Sequence, residues 1–300
     1  MNLFSFIYLV GIYILLNVFQ GFKHIELNDQ LVYSAIFILL VGIPHGAIDH
    51  VLFFKKRKIS QFRFYTVYLG LIVAFFAMWH FSTIYSLIFF LIISAFHFGE
   101  SQFSDIQVKS ILKNLFFFLW GLSLLSTLIF YNLDELNKIT LFFDDTVSLE
   151  HIYKNNNISS LFYLTNISTI LLMIIFVLIK KIKIERFFSE LFLLFLIHIT
   201  FFLFPFIIGF TLYFVVLHSL KVMNDEFMFF KNENPAFNIK EFIILLAPYS
   251  LLSIFFTTIL LLLAQYNYIP YSVPLLSIMI ISVITLPHAI VMNIFYNYIL

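Results

Sequence analysis

Four short stretches place metal-ligating or ionisable side chains inside long apolar runs. They are PHGAIDH at 44–50, FHFGE at 96–100, LHSLK at 217–221 and LPHA at 286–289. An ionisable group in hydrocarbon is costly, so each is a functional candidate that should face a bundle interior. Imidazole binds transition metals as the neutral ring, the form a low-dielectric interior tolerates. His45, His97, His218 and His288 are therefore the candidate metal ligands. On a regular helix, residues three or four apart share a face. His45 should then meet Asp49, and His97 should meet Glu100. A carboxylate beside a ligating imidazole fixes its tautomer and raises its basicity. Asp49 and Glu100 are the expected acidic members of the catalytic set, orienting His45 and His97. Pro44 and Pro287 distort the backbone just before two of the histidines, while Gly46 and Gly99 admit a close neighbour.

The remaining polar residues have plainer readings. His24 and His80 fall at expected interfaces, His151 in an exterior loop, and His198 within a span as a structural hydrogen-bonding group. His50 points away from His45 towards the basic stretch Lys55 to Lys58. Asp225 and Glu226 read as part of a solvated loop.

The elements that position these residues are membrane helices. The chain is 62% hydrophobic and 11% charged, with mean hydropathy +1.02. Soluble domains carry roughly 25% charged residues. Apolar runs near 3–22, 31–54, 64–80, 82–99, 111–131, 161–181, 187–204, 206–223, 241–264 and 274–297 are each close to the ~20 residues a crossing needs. The expectation is one all-α transmembrane bundle over 1–300, with about ten (8–10) helices and a first span that is not a cleaved signal. Between 187 and 223 the run is too long for one crossing, and Pro205 with Gly209 should break it. With the N-terminus placed in the cytoplasm, 14 of the 17 Lys and Arg fall inside; the exceptions are Lys23, Lys138 and Lys154. Both termini are then cytoplasmic in a multi-pass protein of the cell (inner, cytoplasmic) membrane. The loop over 132–160 is exterior, and the four histidine-bearing spans run in one direction. A net charge of +1 argues against nucleic acid, and the absence of cysteine excludes thiolate ligands and nucleophiles.

Taken together and in this order, PHGAIDH, FHFGE, LHSLK and TLPHA resemble the Brp/Blh family of membrane β-carotene 15,15′-dioxygenases, from about residue 40 to the C-terminus. The resemblance implies iron(II) as cofactor and dioxygen as co-substrate. It implies cleavage of the central 15,15′ double bond of β-carotene to two molecules of retinal, with a rhodopsin as the recipient of the product. It places the iron on His45, His97 and His218. One departure stands out: the family carries a second histidine four residues after the one in the HS stretch, and Val222 is here. Either His288 completes the set, or three histidines hold the metal, or the chain is a divergent or inactive member. The acid found five residues after the second histidine is Gln102 here, although Glu100 remains. Two other classes stay open. One is a desaturase- or hydroxylase-like membrane metal enzyme, although no paired histidine box is present. The other is a transporter using Asp49, His50 and Glu100 as a relay. The 43 Phe and 16 Tyr could line a slot for a long apolar substrate, or simply face lipid.

Overall fold

A computed structural model of the chain describes residues 3–20, 25–106, 111–154 and 157–299. His24, Lys23, Lys109, the end of the expected first span at 21–22 and the polar pair at 155–156 lie outside the described residues. Among the described residues the chain is helical and has no strand. Its helices are α1 (Leu3–Gln20), α2 (Leu27–Phe37), α3 (Asp49–Lys56), α4 (Gln61–Phe81), α5 (Thr83–Gln102), α6 (Ile111–Tyr131), α7 (Leu133–Phe142), α8 (Glu150–Tyr153), α9 (Asn157–Leu178), α10 (Ile184–Leu203), α11 (Phe206–Leu212), α12 (Leu220–Glu233), α13 (Ile239–Gln265) and α14 (Val273–Ile299).

Nine helical stretches among the described residues are long and apolar enough to cross a membrane. Two of them are composite. α2 runs through a π-helical turn (Ile38–Gly42) and a 3-10 turn (Ile43–Gly46) into α3, and α11 runs through a π-helical segment (Tyr213–Ser219) into α12. α1 is a shorter apolar helix of 18 residues, the tenth of the expected set. The chain break before α11 comes from Pro205, whose ψ of 152° follows a Phe204 at ψ 150°. Gly209 sits inside α11 instead, where an added Cβ would press on the Phe201 ring at 3.3 Å.

Packing is closest between α5 and α6. A Cβ at Gly99 would collide with the carbonyl of Phe117, and one at Gly121 with the carbonyl of Ala95. Two glycines, one per helix, thus bring the backbones into direct contact, as membrane helices do when small residues line the seam. One large apolar cluster joins α1, α5, α6, α9, α10 and the π-helical segment through residues such as Tyr8, Phe98, Phe117, Trp120 and Tyr213. A second joins α3, α4, α12, α13 and α14 through Ile48, Leu52, Val222, Phe230 and Phe295.

The described residues of the segment 132–160 fold where the sequence suggested a loop. Tyr153 and Thr140 share a hydroxyl hydrogen bond, and Thr146 Oγ1 donates to the Thr140 carbonyl at 2.9 Å. Its acids serve helix starts. Glu135 Oε2 accepts from the Phe206 N–H at 2.5 Å, and Asp145 Oδ2 accepts from the Ser272 N–H at 2.6 Å. Carboxylates placed there meet unpaired N–H groups and the positive end of the helix dipole. Gln30 near the start of α2 donates to Glu135 Oε1 at 2.9 Å, and Leu149 packs in a cluster with Leu87 near the start of α5. All four histidine-bearing spans therefore begin against this one segment and run the same way.

A second loop expectation is overturned as well. Asp225 and Glu226 belong to α12, which continues to Glu233, and Glu226 is fully buried. Spacing explains it. Val222, Glu226 and Phe230 are four apart on one face, and the first and last of them pack into the second apolar cluster.

Candidate metal centre

Each candidate histidine sits where its span departs from a plain α-helix, or close to such a point. Pro44 lies in the 3-10 turn that carries His45, and the π-helical turn just before it ends at Gly42. His218 lies in the π-helical segment of the α11–α12 span, a distortion often found at functional sites. His288 follows Pro287 within α14. His97 sits on regular α5, two residues before the glycine that seats α5 on α6.

The four imidazoles converge. Ring centroids are 4.8 Å apart for His45 and His288, 5.1 Å for His45 and His218, 4.9 Å for His97 and His218, and 5.1 Å for His97 and His288. Neighbouring rings stand nearly perpendicular, at 79° to 89°. All four are buried, with His45 the most exposed at 8%. One ring nitrogen from each of His45, His97 and His288 lies within 4.8 Å of the others, close enough to share an ion; His218 is outside this nitrogen group, and its ring adjoins those of His45 and His97. The missing Cβ of Gly46 is part of the construction, since it would lie 3.3 Å from His288 Nδ1.

The hydrogen bonds fix which nitrogen is left for a metal. His45 Nδ1 takes the carbonyl of Gly42 as its acceptor, and His288 Nδ1 donates to Asp49 Oδ1 at 2.8 Å. An Nδ1 that carries its hydrogen leaves an Nε2 lone pair for ligation. His288 Nε2 and both nitrogens of His97 are buried without a partner. Buried polar atoms left unpaired are costly, and a coordinated ion would satisfy them. An all-nitrogen, neutral donor set of this kind fits a first-row transition metal.

The expected carboxylate pairings change. Asp49 faces His288 and Tyr68 rather than His45, because the backbone from 38 to 48 is successively π-helical, 3-10 and then bent at Ile48 (φ −108°, ψ 19°). The four-residue face rule holds only on a continuous α-helix. Tyr68 Oη donates to Asp49 Oδ2 at 2.8 Å, so both carboxylate oxygens are occupied. Glu100 also turns from its expected partner. Its Oε1 accepts from Asn293 Nδ2 at 2.5 Å on α14, and its Oε2 has no partner. Tyr68 and Asn293 are site residues the sequence reading missed. Neither carries a local signal, since each is one polar residue on an apolar helix and meets its acid only across the bundle.

Aromatic rings close the centre. Phe214 lies nearly parallel to His218 at 5.4 Å, and Phe98 stands edge-on to it at 4.9 Å. Not every ring on these spans faces inward: Phe89 of α5 is 40% exposed on the outside. Val222, in the family's histidine position, is wholly buried in the apolar cluster with Ile48 and Leu52. Of the other histidines, His50 packs on the Tyr249 ring at 4.4 Å, away from the centre. His198 Nε2 bonds Asn166 Oδ1 at 3.1 Å, the interhelical role expected for it.

No solved structure matches this chain. A protein from an uncultured marine bacterium (66A03), "Beta-carotene 15,15'-dioxygenase", is 36% identical over 72 residues, which is 22% of this chain and 26% of that protein. The match thus spans about a quarter of that relative's length. The model of the family described as "Beta-carotene 15,15'-dioxygenase" matches residues 36–296, a range that holds all four converging histidines, and this chain belongs to that family.

Proposed function

We propose that this protein cleaves β-carotene at its central 15,15′ double bond with dioxygen, giving two molecules of retinal, at an iron(II) centre held by His45, His97, His218 and His288. The observation that carries this reading is the meeting of four imidazoles from four spans at one buried point, with ring nitrogens left unpartnered. The stoichiometry closes without a proton donor or a leaving group, because one C=C and one O2 become two C=O. Iron bound by neutral ligands with open positions supplies the binding and redox chemistry of dioxygen.

The protein's own residues do the rest. The Gly42 carbonyl and Asp49 hold His45 and His288 with Nε2 free for the metal. Asp49 would act on a bound dication through His288, whose basicity as a ligand the carboxylate raises. Glu100 acts through Asn293, tying α5 to α14 and so His97 to His288. Phe98 and Phe214, packed against the His218 ring, would keep water from a bound metal. The polyene arrives from the bilayer, and the product leaves to a rhodopsin. Both termini lie on the cytoplasmic side of the cell membrane, as the distribution of Lys and Arg implies. The test is retinal formation from β-carotene in membranes carrying the protein. His97→Ala at equal expression should abolish it, and wild-type turnover by that variant would refute the assignment.

A further inference from the structure

His218 has no carboxylate or carbonyl at its Nδ1. Its neighbour there is the hydroxyl of Ser101 at 3.2 Å. A hydroxyl has a single proton. Ser101 Oγ donates that proton to the carbonyl of Phe98 at 3.0 Å, within its own helix. Towards His218 the oxygen is therefore an acceptor, and the hydrogen of that bond sits on Nδ1. The other half of Ser101 is held as well. Its backbone carbonyl is one of the last four of α5, which have no partner within the helix. Lys221 Nζ donates to it from α12, and Lys221 also pairs with Asp225 at 3.7 Å. Lys221 lies three residues after His218. Two side chains on one side of the centre thus grip one residue of α5, the helix that carries His97. The rings of His97 and His218 stand 4.9 Å apart across this grip.

We propose that Ser101 is a positioning residue of the metal centre: its hydroxyl holds His218 as the Nδ1–H tautomer with Nε2 left for the metal, while Lys221 sets its register against α12. The inference rests on the proposed metal centre and extends it to a residue that touches no metal. A serine late in a helix commonly bonds the carbonyl three or four residues back, and that alone would be local helix chemistry. The burial of Ser101 at 3% exposure and its contact with a ligand ring go beyond that. The three anchors also differ in kind: a carbonyl for His45, a carboxylate for His288 and a neutral hydroxyl for His218. The hydroxyl is the weakest acceptor, so the geometry of His218 depends most on that one side chain being present.

Threonine and valine at 101 have equal size and differ in the hydroxyl, so they carry the test. Full-length protein in detergent or nanodiscs is titrated with Co2+, reading affinity and the visible absorption of the bound ion, with thermal melting of the metal-free forms alongside. Ser101→Thr should bind as wild type. Ser101→Val should bind roughly tenfold to a hundredfold more weakly, the range seen when a partner of a ligating histidine is lost, with an altered spectrum. The metal-free valine form should melt earlier than the threonine form, by the cost of a buried Nδ1–H left without an acceptor, with both still folded at the temperature of the titration. Equal affinity and spectra for Thr and Val, with wild type binding normally, overturn this inference alone. A wild type that takes up no Co2+ overturns the metal reading and this inference with it.

Discussion

The pairing of Asp49 with His288 rather than His45 makes a quantitative prediction for metal affinity. Asp49→Asn keeps the shape and leaves an amide oxygen for His288 Nδ1–H, but removes the charge. Hydrogen bonds to charged partners contribute about 1.5–3 kcal/mol against about 0.5–1.5 for neutral ones. The loss is then about 1–1.5 kcal/mol, close to tenfold in metal affinity. Asp49→Ala should be worse, because it strands both His288 Nδ1–H and the Tyr68 hydroxyl in a dry interior, at about 1–3 kcal/mol each. The decisive assay is a double-mutant cycle on Co2+ affinity in purified protein. In a His288→Ala background, Asp49→Asn should cost little more, since the group it acts on is gone. In a His45→Ala background the tenfold loss should persist. Contacting residues couple in this way and independent ones add. Coupling to His45 with additivity at His288 would mean that Asp49 shares a helical face with His45 after all, and would refute the Asp49–His288 pairing.

Other outcomes follow from the packing. Gly46→Ala places a methyl 3.3 Å from His288 Nδ1, so metal occupancy should fall while thermal stability changes little; metal analysis beside a melting curve reads both. Gly99→Ala drives a Cβ into the Phe117 carbonyl and should lower stability by about 1–3 kcal/mol as α5 and α6 separate, seen as an earlier melt in detergent. Removing Glu135 or Asp145 by alanine takes the carboxylate acceptor from the Phe206 or the Ser272 N–H, at about 1 kcal/mol each, measurable by the same melt. Glu226→Gln replaces a buried carboxyl, whose oxygens have no partner and whose ionised form a dry interior disfavours, with a neutral amide of the same shape, so its melting temperature should match or exceed that of wild type.

Much of this protein is written locally in its chain. Apolar run lengths set the spans, because hydrocarbon admits only a helix that satisfies its own backbone. Each of the four histidines is visible as a costly group in an apolar run, and their common direction follows from counting crossings. Gly46 and Gly99 likewise announce close approach before its object is known, which proves to be the His288 ring for one and the Phe117 backbone for the other. Pairing between spans could not be read this way. The rule that joins positions four apart assumes one continuous α-helix, and α2 to α3 is interrupted by π-helical and 3-10 turns that re-aim Asp49. Glu226 looked solvated because charge dominates a short window, whereas its burial is decided by Phe230 and Val222 packing against α3 and α14. Tyr68, Asn293 and Ser101 gain their roles only across the bundle, because a hydrogen bond between helices depends on rotation and register that neither sequence segment carries alone.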